Sequence, residues 1–209
     1  MIPELAIELQ AVSKRFGRQW IIREMTDRFA TGSPVGVSGR NGAGKSTLQR
    51  LLCGQLTPTR GSVRWTLDGR DVPVGDVYRS VSWAAPYLTV VEELTIRQFY
   101  DFHFRLKPLQ AGLTVADVPR LIELDHVRNR KLSDCSSGMR QRVLLGSVLY
   151  AATPLLLLDE PTVTLDAPAV AWYHQQLATY GRGRLVVVAS NDPADLVECG
   201  RVIAVGEDG

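Results

Sequence analysis

A glycine-rich segment that ends in a lysine and two hydroxyl residues is the first place where this sequence could do chemistry. It fits the spacing GxxxxGK[ST] and reads Gly39-Arg40-Asn41-Gly42-Ala43-Gly44-Lys45-Ser46-Thr47. Glycines at this spacing let successive backbone N–H groups point at one phosphate, while Lys45 reaches the β and γ oxygens and Ser46 offers a hydroxyl to Mg²⁺. A chance match is expected in roughly one per cent of chains of this length. The segment therefore predicts a nucleotide-binding loop.

Two carboxylates follow an apolar run later in the chain. Residues 155–158 are all leucine, and Asp159 and Glu160 come directly after them. At the C-terminal edge of a parallel sheet, Asp159 can hold Mg²⁺ through water and Glu160 can polarise an attacking water. Such a pair alone is more often a helix cap or a solvated loop. The phosphate-type loop upstream favours the catalytic interpretation.

The elements around these motifs alternate between apolar strands and helices. Strands are predicted at residues 35–38, 155–158, 185–189 and 202–205, and Asp166 caps a helix that reaches Gly181. Strands buried on both faces and alternating with helices indicate a mainly parallel sheet. We predict an α/β fold of the P-loop NTPase class, with a mainly parallel central sheet, an N-terminal antiparallel β part and an inserted helical lobe.

The helical lobe is predicted from capping signals in the middle third of the chain. Thr95 can cap a helix that reaches Leu106, and Thr114 with Asp117 forms a capping box for a helix that reaches Leu124. A further helix is predicted over 138–152. The expected organisation is a single domain, residues 1–209, with a core at 1–85 and 150–209 and a helical lobe at 86–149.

A third motif begins the helix that precedes the Asp-Glu pair. It resembles the LSGGQ signature and QxQR continuation of the ATP-binding cassette (ABC) family, and reads Cys135-Ser136-Ser137-Gly138-Met139-Arg140-Gln141-Arg142. With the Walker A loop at 39–47, the Walker B strand at 155–160 and a D-loop-like segment at 163–166, the likeness covers nearly the whole chain in the family's order. In isolation, Ser136-Ser137-Gly138 is typical of a simple helix N-cap.

The resemblance implies that this chain works as a pair. A P-loop covers one side of ATP, and a second helix N-terminus, here Ser136, Ser137 and Gly138, offers donors to the γ-phosphate from the opposite subunit. It thus implies a head-to-tail dimer, of this chain or of this chain and a related cassette, that sandwiches two ATP with Mg²⁺. Asp166 takes the place of the D-loop aspartate.

An aromatic residue near the N-terminus matches the family's adenine-stacking position. Phe16 in the segment 12–17 resembles the A-loop aromatic. A phenylalanine there is also common in a core, and Trp20 is an alternative for the same role.

Departures from the family pattern concern the residues that support hydrolysis. Pro86 stands where relatives have a hinge glutamine, and Gln98 lies inside the following helix and cannot replace it. Asn191 stands where relatives have the switch histidine, and an amide can donate a hydrogen bond but cannot carry a proton. The signature also has Cys135, Ser137 and Met139 in place of leucine, glycine and glutamine. Because Lys45, Asp159 and Glu160 remain, the resemblance implies a slow but real ATPase.

Charge and composition limit the classes of partner that this chain can bind. The 209 residues carry 24 Lys and Arg against 22 Asp and Glu, so the net charge of +2 gives no strong field for nucleic acid. No apolar run approaches the roughly 20 residues needed to cross a bilayer, no signal-peptide pattern opens the chain, and three scattered cysteines indicate free thiols. We expect a cytoplasmic chain without nucleic acid, peripheral on the cytoplasmic face of a membrane, with integral-membrane permease subunits docking on the lobe around residues 87–106.

Two other functions remain open from the sequence. A nucleotide-gated regulatory module with negligible hydrolysis is favoured by Pro86 and Asn191 and opposed by Glu160. A cassette that acts on ribosomes or DNA usually needs tandem cassettes or a long insertion, for which 209 residues leave no room.

Overall fold

The computed structural model describes residues 2–206, and two sheets organise them. Their strands are β1 (Leu5–Phe16), β2 (Gln19–Ala30), β3 (Val35–Ser38), β4 (Arg60–Leu67), β5 (Arg70–Val72), β6 (Val81–Ala84), β7 (Leu155–Asp159), β8 (Leu185–Ala189) and β9 (Arg201–Ala204). The antiparallel sheet has the order β2-β1-β4-β5, and the parallel sheet has the order β6-β7-β8-β3-β9.

In the antiparallel sheet, β1 directs alternate apolar residues at its start into the core. Leu5, Ile7 and Leu9 of β1 are buried, and Ile7 pairs with a strand on each side. A tight turn at Asp68-Gly69 joins β4 to β5, and both residues have positive φ, 49° and 75°. Such turns match the twist of a hairpin, which is why the two strands pair directly.

The parallel sheet is buried on both faces. Leu155 and Leu157 of β7 face the core shared with the antiparallel sheet, whereas Leu156 and Leu158 face the core beneath the helices. This explains the unbroken leucine run, because neither face of the strand reaches water. The carboxyl ends of β3, β6, β7 and β8 lie at the same edge, and the loops that follow them form the site described below.

The helices lie between and beside these strands. They are α1 (Lys45–Leu52), α2 (Ile96–Leu106), α3 (Val118–Leu121), α4 (Ser137–Leu149) and α5 (Ala167–Tyr180). Thr95 caps α2 in a full capping box with Gln98, and the Asp166 side chain caps α5. Both caps are where the sequence predicted them.

The predicted helix from Thr114 to Leu124 is wrong in length. The capping box of Thr114 and Asp117 forms, but it leads into a 3₁₀ turn and then the single turn α3. Glu123 adopts a left-handed φ of 61°, and the Leu124 N–H donates to the Pro119 carbonyl at 2.8 Å. This is the hydrogen bond of a helix C-terminal motif, so the chain turns away before another helical turn forms.

The helix predicted over 138–152 ends early. Helix α4 stops at Leu149 because Ala152 leaves the helix and donates its N–H to the Pro108 carbonyl at 2.7 Å. Helices α2, α3 and α4 share a buried cluster with the face of β7 that carries Leu156 and Leu158. Within residues 2–206, no helix is long and apolar enough to span a bilayer.

Candidate functional site

The phosphate-type loop lies between β3 and α1. Its backbone can turn this tightly only with glycine, since Gly39 and Gly44 have φ of 147° and 114°. A Cβ on Gly44 would approach Ile21 Cγ2 to 2.7 Å, and one on Gly39 would approach the Val205 carbonyl oxygen to 2.5 Å. The loop therefore holds the start of α1 close to β2, with the helix N-terminus directed at the cavity.

Lys45 is the most connected side chain of the loop. It is buried, and its Nζ donates to the Gly39 carbonyl at 2.8 Å and to Asn191 Oδ1 at 2.5 Å. The same Nζ lies 3.2 Å from Glu160 Oε1. Asn191 Nδ2 in turn donates to Asn41 Oδ1. A single ammonium thus joins the phosphate loop to residues that follow two other strands.

Ser46 and Asp159 bring two side-chain oxygens into contact. The Ser46 hydroxyl donates to Asp159 Oδ2 at 2.6 Å. Burial raises the pKa of the Asp159 carboxyl, and the Ser46 hydrogen bond opposes that shift. In the described part of the chain, no three His, Cys, Asp or Glu residues cluster as a protein-only metal site. Two hard oxygen donors fit Mg²⁺, which keeps several waters and shares its remaining positions with phosphates.

Glu160 has an unusual backbone. Its φ is 47°, which is strained for a residue with a Cβ. The Asn191 N–H donates to both carboxylate oxygens, at 3.2 and 3.3 Å, and Ser190 Oγ lies 3.0 Å from Oε2. The carboxylate is therefore held at the mouth of the loop by the two residues that follow β8 and by Lys45.

A cavity of ≈ 300 Å³ contains the candidate nucleotide site. The lining residues are Phe16, Ile21, Arg40, Asn41, Gly42, Gly44, Lys45, Ser46, Thr47, Pro86, Tyr87, Asp159 and Glu160. Phe16 is 47% exposed at its rim. Trp20 is outside this lining and lies between the guanidinium groups of Arg15 and Arg60, each 5.3 Å from its ring. The structure therefore brings Phe16, and not Trp20, to the phosphate loop.

The hinge position is occupied by Pro86, which lines the same cavity and has no side-chain donor. Gln98 lies within α2, where its Oε1 accepts from the Thr95 N–H at 2.9 Å. The nearest glutamine after the hinge is therefore held in a helix cap.

The signature residues lie elsewhere. Ser136 Oγ accepts from the Met139 N–H at 3.2 Å and caps α4, while Ser137 is exposed at the helix start. These two and Gly138 line a second cavity of ≈ 630 Å³ together with Asp166. None of them lines the cavity at the phosphate loop of the same chain.

Sequence reasoning missed several polar residues that support the site. Asp195 is buried and accepts hydrogen bonds from Thr162 and Ser190. Gln141 Nε2 donates to the Pro161 carbonyl at 2.7 Å and so connects α4 to the loop after Glu160. The QxQR pattern includes Gln141, but the sequence did not predict its contact with Pro161, because the two residues are distant in sequence. Nothing in the sequence distinguishes Asp195 from an ordinary helix-start aspartate.

Comparisons with known sequences show which family the chain resembles. A sequence model of the family described as "ABC transporter" matches residues 22–163, more than half of the chain. The "Nod factor export ATP-binding protein I" of Bradyrhizobium sp. (strain SNU001) is 31% identical over 217 residues, which cover 97% of this chain and 70% of that protein. "Uncharacterized ABC transporter ATP-binding protein YybJ" of Bacillus subtilis (strain 168) is 27% identical over 198 residues, covering 91% and 88%.

The solved structures agree on the architecture. A bacterial Atm1-family ABC exporter with ATP bound superposes with a TM-score of 0.80 at 19% identity, covering 98% of this chain and 38% of that one. This likeness shows the fold alone, and it confirms the predicted α/β P-loop class. Since the family match spans the phosphate loop and the Asp159-Glu160 pair, the chain belongs to the ABC transporter family, as one of its ATP-binding subunits.

Proposed function

We propose that this chain is the ATP-hydrolysing subunit of an ABC transporter, and that it converts ATP-driven pairing of two cassettes into movement of separate permease subunits. The observation that carries the proposal is the convergence of Lys45, Ser46, Asp159 and Glu160 at one sheet edge. Residues 1–209 act as one domain, with the core at 1–85 and 150–209 and the lobe at 86–149.

Nucleotide binding falls to the loop and the rim of the cavity. The backbone N–H groups of residues 39–47 and the Lys45 ammonium bind the phosphates, and Phe16 stacks on the adenine. Ser46 and Asp159 would hold Mg²⁺, and the ion would neutralise charge on the phosphate oxygens. The donor set supports this assignment, because the hydroxyl and the carboxylate are 2.6 Å apart and face the same cavity.

Glu160 is the proposed catalytic base. It orients a water for attack on the γ-phosphorus and accepts its proton. The bond from that phosphorus to the bridging oxygen breaks and ADP leaves, while Lys45 stabilises the charge that develops on the phosphate oxygens. Asn191 takes the switch position and donates a hydrogen bond through its amide. Because an amide cannot shuttle a proton and Pro86 supplies no donor at the hinge, we expect slow turnover.

The second half of each ATP site comes from a partner cassette. Ser136, Ser137 and Gly138 present a helix start to solvent, where the dipole and the first-turn N–H groups favour a phosphate. Asp166, at the position of the D-loop aspartate, lines the same cavity. The partner is a second copy of this chain or a related cassette.

Exposed apolar side chains on the lobe support permease docking. Tyr87, Leu88, Val91, Phe102 and Leu106 are between 36% and 68% exposed. A row of such residues on one lobe suits a protein partner better than solvent. We place the chain in the cytoplasm, on the cytoplasmic face of the membrane that holds the permease.

Hydrolysis by matched variants tests the proposal. The chain, purified with its membrane partner, should hydrolyse Mg-ATP at least about a hundredfold faster than its Glu160→Gln variant. Glu8→Gln, an exposed change on the antiparallel sheet, is the matched control and should behave as wild type. Equal rates for wild type and Glu160→Gln would refute the proposed enzyme.

A nucleotide-gated regulatory module is the second candidate. The Asn191 amide favours it. This amide accepts a hydrogen bond from Lys45 and donates one to Asn41, but it has no titratable group that could move a proton during hydrolysis. Single-turnover hydrolysis separates the two functions. A module would pair on ATP and release it intact, whereas the proposed subunit converts the bound ATP to ADP within one cycle.

A further inference from the structure

Asp195 is a buried carboxylate that the proposed function leaves without a role. It is 3% exposed, and no Lys, Arg or His among residues 2–206 forms an ion pair with it. Its charge is satisfied by two hydroxyl groups. Thr162 Oγ1 donates to Oδ1 at 2.9 Å, and Ser190 Oγ donates to Oδ2 at 2.7 Å. A buried carboxylate is costly unless its hydrogen bonds are well made, so both contacts matter to this part of the molecule.

These two hydroxyls lie in loops that follow different strands. Thr162 lies two residues after Glu160 in the loop that follows β7, and Ser190 lies directly after β8 and before Asn191. Asp195 itself comes from the 3₁₀ turn Pro193–Leu196. The carboxylate therefore joins the loop that carries Glu160 to the loop that carries Asn191.

Glu160 lies between the joined loops. Its N–H donates to the Ala189 carbonyl at 2.7 Å, and its side chain accepts from the Asn191 N–H. Ser190 Oγ lies 3.0 Å from Glu160 Oε2 but has one hydrogen to give, and Asp195 is the nearer acceptor. Since a φ of 47° is held only when neighbouring contacts fix the backbone, Glu160 depends on this arrangement.

We propose that Asp195 is a positioning residue, which bridges Thr162 and Ser190 and thereby fixes the orientation of Glu160 toward the attacking water. The inference rests on the proposed function in one respect, the catalytic role of Glu160. Asp195 and Thr162 are outside the lining of the nucleotide cavity, so their removal should change the orientation of Glu160 and leave ATP binding intact.

Steady-state kinetics of two bridge variants provide the first test. Asp195→Asn and Thr162→Val should each lower kcat by about tenfold to a hundredfold, because small misplacements of a reacting group have effects of this size. The KM for ATP should stay within about twofold. The double variant should be no worse than the stronger single variant, since both changes break one bridge. Thr162→Ser restores the hydroxyl and should rescue kcat.

Asp192→Asn is the matched control. It makes the same change three residues earlier, on an exposed side chain whose Oδ1 only caps the turn through the Ala194 N–H. Its kcat should equal that of wild type. Thermal unfolding is measured for every variant, and a parallel fall of kcat, ATP affinity and unfolding temperature would reduce Asp195 to a merely structural residue and overturn the proposal.

Amide hydrogen exchange tests the bridge without any turnover. In the isolated chain, Thr162→Val and Asp195→Asn should speed exchange at the Glu160 and Asn191 amides, and Thr162→Ser and Asp192→Asn should leave it unchanged. Unchanged exchange in the first two variants would refute the bridge even if the enzyme is active. If wild type turns over no faster than Glu160→Gln, the proposed function fails instead, and faster exchange would still support the bridge.

Discussion

The phosphate loop and the start of α4 are both helix N-termini that face a phosphate site in the proposed function, yet their surroundings differ. At the phosphate loop, Lys45 and Ser46 already have partners from β7 and from the residues after β8. At the start of α4, Ser136 contacts its own helix, and Ser137 is exposed. One site is organised within the chain, and the other presents its donors outward.

This difference teaches that the two halves of the proposed ATP site have different requirements. The first half needs only the folded chain, because its side chains are held by three strands of one sheet. The second half needs another surface to meet it. ATP binding should therefore be a property of a single chain, and pairing should depend on chain concentration.

The largest expected effect comes from removing the lysine of the organised half. Lys45→Ala should weaken ATP binding by about 3 kcal/mol, which is over a hundredfold in Kd, because at least two charge-assisted hydrogen bonds are lost. Equilibrium binding of a fluorescent ATP analogue measures the loss. Lys131→Ala, an exposed change on the lobe, is the control. Binding that survives Lys45→Ala would mean that the loop is not the nucleotide site.

The next prediction concerns the outward-facing half. Gly138→Asp places a negative charge at the start of α4, where the added Cβ would lie 3.2 Å from the Thr164 carbonyl oxygen. In a Glu160→Gln background, it should weaken ATP-dependent pairing by about 2 kcal/mol, roughly thirtyfold, and leave ATP binding by the single chain unchanged. Light scattering and the binding assay measure the two quantities separately.

Asn129→Asp adds the same charge to an exposed position of the same lobe and should pair normally. The comparison of the two halves would be broken if the Glu160→Gln chain, saturated with ATP, never paired, even with its natural partners present.

A smaller effect is expected at the switch position. Asn191→His should raise kcat about threefold to tenfold, because an imidazole can carry the proton that an amide cannot. Adding Pro86→Gln should raise it further. Steady-state release of phosphate measures kcat for wild type and for each variant. If both changes leave kcat at the wild-type value, Pro86 and Asn191 do not limit turnover.

The smallest effect separates two aromatic residues. Phe16→Ala should weaken ATP binding by about 1 kcal/mol, roughly fivefold, through lost stacking on the adenine. Trp20→Ala is its control and should leave binding unchanged, because the ring is held between Arg15 and Arg60 away from the cavity. If Trp20→Ala weakened binding and Phe16→Ala did not, the adenine would stack on Trp20 instead of Phe16.

Local patterns were sufficient for much of the fold. The leucine run of β7 and the caps of α2 and α5 depend on neighbours within a few residues, and all were predicted from the sequence. The helix from Thr114 was predicted too long because its end depends on Glu123 and on the hydrogen bond from Trp172 Nε1 to the Leu121 carbonyl. That contact joins residues 51 apart in sequence.

The sequence by itself was enough to predict the chemistry of the site. Lys45 and Ser46 were identified from the spacing of the phosphate loop, and Asp159 and Glu160 from a carboxylate pair that follows an apolar run in a chain that also contains that loop. Only the tertiary structure decided which side chains meet. It brought Phe16 rather than Trp20 to the loop, joined Lys45 to Asn191 across 146 positions, and buried Asp195 behind Glu160. Such contacts arise from the order of strands in the sheet, which no local pattern encodes.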